Sequence, residues 1–217
     1  MFNLKDNSAI KNNKAKNIPE PTIRRFPLYL NTILDFKQEG RTYISCTDIG
    51  NRLSLTAIQV RKDIEHTSIA GKPKVGYDID ALTNTIRDFL GWNDLNEAFL
   101  IGVGHLGSAL LGYQGFENYG FRITKAFDND KSKIGKNFFG KEIFDIEKLP
   151  DMIMKDKIKI CVLTVPAEFA QQIVDKVKGF GIKAIWNFSP VHLDVPDNII
   201  VENENLAASL CVLTSKL

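Results

Sequence analysis

The chain has 217 residues, 44% hydrophobic and 25% charged, with 28 Lys+Arg against 26 Asp+Glu and a net charge of +2. That is the composition of an ordinary folded protein of one large or two small domains, and it excludes collagen-like, low-complexity and strongly polyionic chains. No run approaches the roughly 18 apolar residues of a membrane span, and the three cysteines, at 46, 161 and 211, form no CxxC pair of the kind a zinc site or disulfide framework uses.

Residues 1–17 are rich in Asn and Lys and lack an apolar core segment, so a disordered tail is expected there and not a secretory signal. A cytoplasmic protein with no membrane and no metal partner is the corresponding expectation. Thr22 to Glu39 reads as a helix with Ile23, Phe26, Leu30, Ile33, Leu34 and Phe36 on a broad apolar face, Pro27 in its first turns and Gly40 as its stop. Ser45-Cys46-Thr47-Asp48 has capping-box form and opens a short helix through Leu53. Cys46 at that helix start is a candidate thiol sensor, because a helix dipole lowers a thiol's pKa, whereas Cys161 lies in an apolar run and reads as an inert core residue. Ser54 and Leu55 make a turn, and Thr56 caps a third helix, Ala57 to His66, with Ile58 and Ile64 expected to face inward. Ala70 to Tyr77 resembles a tight hairpin, and Asp80 to Leu90 reads as a further helix.

Helix, short helix, tight turn, helix and basic hairpin is winged helix-turn-helix order. Arg and Gln side chains read base edges and Lys neutralises phosphates. Thr56, Gln59, Arg61 and Lys62 of the third helix, with Lys72 and Lys74 of the hairpin, are therefore the candidate contacts to double-stranded operator DNA. Residues 1–90 hold 14 Lys+Arg and 10 Asp+Glu, against 14 and 16 in residues 91–217, so the positive excess sits on that side. A solvated charged face is the competing explanation for these same residues.

From residue 91 onward, apolar runs alternate with amphipathic segments, the rhythm of βαβ units. The divisions read from the sequence are residues 18–90 as a winged-helix domain, 91–203 as a Rossmann-like dinucleotide-binding domain and 204–217 as a terminal helix. Ala98-Phe99-Leu100-Ile101 is an apolar strand that runs into Gly102-Val103-Gly104-His105-Leu106-Gly107 and then into a helix. This is the dinucleotide fingerprint in its required setting. Its first glycine makes the tight turn, its second admits a pyrophosphate, its third packs helix on strand, and the helix N-terminus faces the anion. The strand from Phe121 ends at Asp128, about 20 residues past the last glycine, where an acid accepts the ribose hydroxyls of NAD(H). Strands are also expected over Lys157 to Thr164 and Ile182 to Phe188, joined by a helix from Pro166 to Lys178. The turns Thr164-Val165-Pro166 and Asn187-Phe188-Ser189 then lie at carboxyl ends of strands, where ligands bind. Leu206, Leu210, Leu213 and Leu217 form one helical stripe, to be buried on the chain's own domain or on a second copy.

These segments resemble the Rex family of redox-sensing transcriptional repressors over about residues 18–217. The resemblance rests on Ile18 to Thr22, Arg25 to Leu30, Gln59-Val60-Arg61-Lys62-Asp63, Val75-Gly76-Tyr77, Gly102 to Gly107, Thr164 to Pro166, Gly181-Ile182-Lys183 and Asn187 to Pro190. It implies a homodimer that carries one NAD(H) per Rossmann domain, exchanges its C-terminal helix between subunits, and leaves its operator when NADH binds. It further implies that Gly102, Val103, Gly104, His105, Leu106 and Gly107 hold the pyrophosphate and Asp128 the adenosine ribose. Thr164, Val165, Pro166, Asn187, Phe188 and Ser189 would line the nicotinamide side, and Tyr113 matches a tyrosine tied to switching. Two departures stand out: Asn31 where the family commonly has Arg, and Asn205 where it commonly has Asp. Two neutral amides lack the charge term of an ion pair.

Three rival readings remain open at this point. An NAD-dependent oxidoreductase would need an acid–base group; there is no Tyr-x-x-x-Lys pair, His66 lies in the first domain, and His105 in the glycine loop and His192 after Pro190 are the candidates, with ordinary loop histidines as the competing reading. The Rossmann part could hold another nucleotide such as an ADP or coenzyme A compound, since fold does not fix ligand. A DNA-binding dimer with altered or lost redox gating is the third.

Overall fold

The computed structural model describes residues 18–217, so the tail expected over 1–17 lies outside the described residues. The chain separates into two compact units that divide between Asp94 and Leu95.

The first unit is built from α1 (Glu20–Gln38), β1 (Tyr43–Ile44), α2 (Cys46–Leu53), α3 (Ala57–Glu65), β2 (Tyr77–Asp78) and α4 (Ile79–Leu90). Pro21 in the first turn of α1 is favourable because no intrahelical N–H is lost there. Pro27 falls later than expected, in the helix interior. Phe26, Tyr29, Leu30, Ile33 and Phe36 bury one face of α1 against Ile44, Ile49, Val60, Ile64, Leu82 and Ile86. Leu34, expected on that face, is exposed, and Tyr29 takes the buried position. The Ser45 capping box on α2 is present in both directions: Ser45 Oγ accepts from Asp48 N–H at 3.1 Å, and Asp48 accepts from Ser45 N–H at 2.8 Å. β1 and β2 pair antiparallel, and a Lys72–Gly76 bridge closes the basic hairpin beyond them.

The second unit is a seven-stranded sheet in the order β5-β6-β4-β3-β7-β8-β9. Its strands are β3 (Asn96–Ile101), β4 (Phe121–Asp128), β5 (Asn137–Phe138), β6 (Lys141–Asp145), β7 (Ile160–Leu163), β8 (Ala184–Asn187) and β9 (Ile200–Asn203), and its helices are α5 (His105–Gly112), α6 (Leu149–Asp156), α7 (Ala167–Val177) and α8 (Leu206–Thr214). All neighbours are parallel except β5 against β6. The period of two along β3 sends Phe99 and Ile101 to the face covered by α6 and α7, and Ala98 and Leu100 to the face covered by α5. A strand buried on both faces reads as an unbroken apolar run, which is why Ala98 to Ile101 carries no polar residue. β3 is flanked by β4 on one side and β7 on the other, so the connections leave it in opposite directions. A crevice opens at such a switch point, at the carboxyl end of the strand.

Candidate nucleic-acid interface and nucleotide cavity

In the first unit, α3 is capped by Thr56, whose Oγ1 accepts from Gln59 N–H at 3.1 Å. Val60, Asp63 and Ile64, three and four residues apart, form its buried stripe. Ile58 lies two residues from Val60, about 200° around the helix, and is 68% exposed. The inward orientation expected for Ile58 is therefore corrected, and Ile64 alone of that pair faces the core. Thr56, Arg61 and Lys62 are exposed, as are Lys72 and Lys74 on the hairpin. Lys72 also donates to Tyr43 Oη at 2.7 Å and stands over that ring. Lys74 has φ +63, the left-handed conformation that tightens the hairpin turn.

Asp63 pins α3 in place. Only 2% exposed, its carboxylate accepts from Arg25 Nε at 2.6 Å and Nη2 at 2.9 Å, from Tyr29 Oη at 2.5 Å, from Thr22 Oγ1 at 3.1 Å and from Gln59 Nε2 at 3.1 Å. Burial pushes its pKa up, but the hydrogen bonds from Arg25, Tyr29 and Thr22 outweigh that and hold it below the usual carboxylate range. Gln59, a candidate base reader, thus spends its amide on Asp63. Cys46 is buried beside Tyr77 and Arg61; burial raises its pKa above the ordinary thiol value despite hydrogen bonds to both. Cys46 thus reads as a buried structural thiol and not as the candidate sensor, because desolvation outweighs any lowering by the helix dipole. Full burial likewise pushes Cys161 up to about 12, as befits a core thiol.

In the second unit, a cavity of about 470 Å³ opens at the carboxyl end of β3. Gly102, Gly104, Asp128, Thr164, Val165 and Pro166 line it. Gly102 has φ +94, and a Cβ there would come within 2.8 Å of Thr164 O; a Cβ on Gly107 would stand 2.0 Å from Gly102 O. These two glycines are required by the protein's own packing. Gly104 differs: a Cβ there would meet no protein atom within 4 Å, and it caps α5 without a side-chain hydrogen bond. Gly104 therefore leaves open space at the cavity edge beside the N-terminus of α5, whose first N–H groups have no side-chain cap, an arrangement that suits a phosphate. The site fits a dinucleotide on this ground.

Asp128 is 7% exposed, and its carboxylate accepts from Val103 N–H at 2.8 Å, Asp130 N–H at 2.9 Å and Lys133 Nζ at 3.1 Å. It thereby fixes the glycine turn while presenting an edge to the cavity. Thr164 Oγ1 donates to Gly102 O at 2.7 Å, and Ser189 Oγ donates to Val165 O at 2.6 Å. Asn187 donates to Val191 O and Asn203 Oδ1, and its own Oδ1 accepts from Ser189 N–H. Asn187 and Ser189 are buried beneath the Thr164 turn, and Phe188 packs on Trp186; none of the three lines the cavity. His105 and Leu106 are exposed in the first turn of α5, Val103 is buried below it, and Tyr113 is exposed at the helix end against Phe116. The far wall, which sequence reasoning missed, comes from Asn129, Lys133, Ile146, Glu147, Phe169, Gln172, Ile173 and Lys176, and Lys176 donates to Glu147 Oε1 at 2.6 Å.

Among the described residues no group of His, Cys, Asp and Glu has the arrangement of a metal site, and no helix is long and apolar enough to cross a membrane.

Residues 93–191 match the family described as "CoA binding domain", and residues 17–65 the one described as "Putative DNA-binding protein N-terminus". The redox-sensing transcriptional repressor Rex of Bacteroides fragilis is 40% identical over 211 residues, covering 97% of this chain and 96% of that protein. Its namesake in Treponema denticola is 44% identical, covering 92% and 95%. Among solved structures, the repressor RSP in complex with β-NAD+ and operator DNA matches with a TM-score of 0.87 at 33% identity over 92% of each chain. RSP in complex with β-NADH matches with a TM-score of 0.84 at 32% identity, over 93% of this chain and 94% of that one. With a helix-turn-helix unit, a glycine-turn cavity on a parallel sheet, and this identity running through both, the chain belongs to the Rex family of redox-sensing transcriptional repressors.

Proposed function

We propose that two copies of this chain bind a palindromic operator in the cytoplasm as a transcriptional repressor, and that NADH in the cavity of the second unit releases them. The observation that carries this reading is the open N-terminus of α5 above Gly104, set beside the Asp128 carboxylate. In the same chain α3 turns Arg61 and Lys62 outward. Thr56, Arg61, Lys62, Lys72 and Lys74 contact the duplex, while the Gln59 amide is held within α3 by Asp63. Gly104, His105 and Leu106 take the pyrophosphate and Asp128 the adenosine ribose. A 2′-phosphate at that position would meet the Asp128 charge, which favours NAD(H) over NADP(H). Asn187, Phe188 and Ser189 support the Thr164 turn from behind. The relatives are redox-sensing transcriptional repressors, and this chain acts as a repressor and not as an enzyme.

Dimerisation rests on α8. Leu210, Val212 and Leu213 of this helix, with Leu217 just beyond it, are exposed in the single chain, and an apolar helix of this kind is stable in water when a second copy covers it.

One observation favours a second reading, a DNA-binding dimer indifferent to redox state. Asn205 caps α8, accepting from Ala208 N–H at 3.1 Å, and Asn31 is an exposed amide on α1. Neither carries a charge to rearrange between two states. Binding of the full chain to an enriched palindrome, titrated with NADH and separately with NAD+, tests both. Release by NADH alone is expected; binding that ignores both nucleotides would leave the second reading.

A further inference from the structure

Resting on the DNA-binding reading above, we infer that Ile58 is a specificity-determining residue of the recognition helix, reading a thymine C5-methyl in each operator half-site. Three observations lead there. Ile58 is the second residue of α3, and in helix-turn-helix proteins it is the N-terminal residues of this helix that meet base edges. It is 68% exposed, an unusual place for a β-branched apolar side chain that gains nothing for the helix by propensity. Its neighbours on the same helical stripe, three and four residues on, are the exposed cations Arg61 and Lys62, so the apolar group sits where a polyanion is held.

The direction of Gln59 strengthens the point. A glutamine in the first turn of a recognition helix ordinarily pairs with an adenine edge. Here its amide donates to Asp63 within a buried network that already includes Arg25, Tyr29 and Thr22. The first turn therefore offers the major groove one outward group besides the Thr56 cap, and that group is apolar. In the major groove the apolar feature of a base pair is the thymine methyl.

The test begins with duplexes enriched from a random pool by the full chain. Each thymine of the enriched half-site is then replaced in turn by deoxyuridine, which removes the methyl alone. For the wild-type chain, replacing one particular thymine in both half-sites is expected to weaken binding roughly fifteenfold, about fourfold for each buried methyl. The Ile58→Ala chain is expected to bind the thymine duplex at least that much more weakly and to be indifferent to the same replacement, while Ile58→Val keeps most of the sensitivity. Parallel losses in wild type and Ile58→Ala at every thymine, or no sensitive thymine at all, would overturn the inference and leave DNA binding intact. A pool in which nothing enriches would remove the DNA-binding reading itself, and the inference with it.

Discussion

Single residues carry the two sites in different ways. Asp63 is a buried carboxylate with five hydrogen bonds, and removing its charge leaves Arg25 without its partner inside the first unit. Asp63→Asn is expected to cost that unit about 3 kcal/mol, the lower end for breaking a buried pair because the Arg25 side chain is 22% exposed. Urea unfolding followed by Trp92 fluorescence in a Trp186→Phe background reads the first unit alone. The pH dependence follows from the direction of the shift. A carboxylate held below its unfolded pKa of about 3.9 contributes fully above that pH and loses its contribution as pH falls through the lower folded value. Asp48 behaves alike: burial opposes its charge, yet hydrogen bonds from Arg41 and Ser45 bring it to about 2. The first unit should therefore lose stability mainly between about pH 4 and 2, as an acid titration of its circular dichroism would record. The glycines of the second unit make a contrasting pair. Gly107→Ala forces a Cβ to 2.0 Å from Gly102 O and should destabilise the unit, whereas Gly104→Ala meets no protein atom. The expected result for Gly104→Ala is unchanged thermal stability with dinucleotide affinity reduced at least tenfold, by calorimetric titration with NADH; equal affinity would mean that the pyrophosphate lies elsewhere.

Among the elements, α2 and α3 show how local chemistry and packing divide the work. The capping box of Ser45 and Asp48 satisfies two backbone donors of an eight-residue helix too short to persist alone. Ser45→Ala is expected to cost about 1 kcal/mol, visible in the same urea titration, and to leave nucleotide binding in the other unit untouched. Both caps were legible in the sequence because a cap is a contact over three residues. The facing of α3 was not, since six residues separate Ile58 from Ile64 and put them on different sides of the helix. The helical period, weighed against the buried Val60, Asp63 and Ile64, settles Ile58 outside. In the sheet, the apolar run of β3 identified a strand buried on both faces. The short strands β5, β6 and β9 pass unnoticed by pattern, because two to five residues at a sheet edge carry too little alternation to register.

For the whole molecule, the exposed leucines of α8 imply that the chain is incomplete alone. Leu210→Asp with Leu213→Asp is expected to turn the dimer into a monomer in sedimentation equilibrium, and to weaken operator binding by more than tenfold because the two half-sites are then engaged independently. A variant that stays dimeric would place the interface on another surface. The loss should appear without any change in NADH affinity if the cavity is completed by one chain.

By itself the sequence determined what depends on near neighbours: the caps, the glycine turn, the apolar strand before it, the acid some 20 residues on, and the order of elements that marks a winged helix followed by a Rossmann-like sheet. Each is a contact or a repeat within a few residues, or a spacing enforced by one βαβ unit. Tertiary structure decided what depends on residues distant in the chain. It set Thr22, Arg25 and Tyr29 around Asp63, turned Ile58 to solvent, and buried Asn187 and Ser189 behind the Thr164 turn. It also closed the cavity with Glu147 and Lys176, 29 residues apart. Such meetings are fixed by how the helices and strands pack, and packing is a property of the assembled core that no local window of sequence contains.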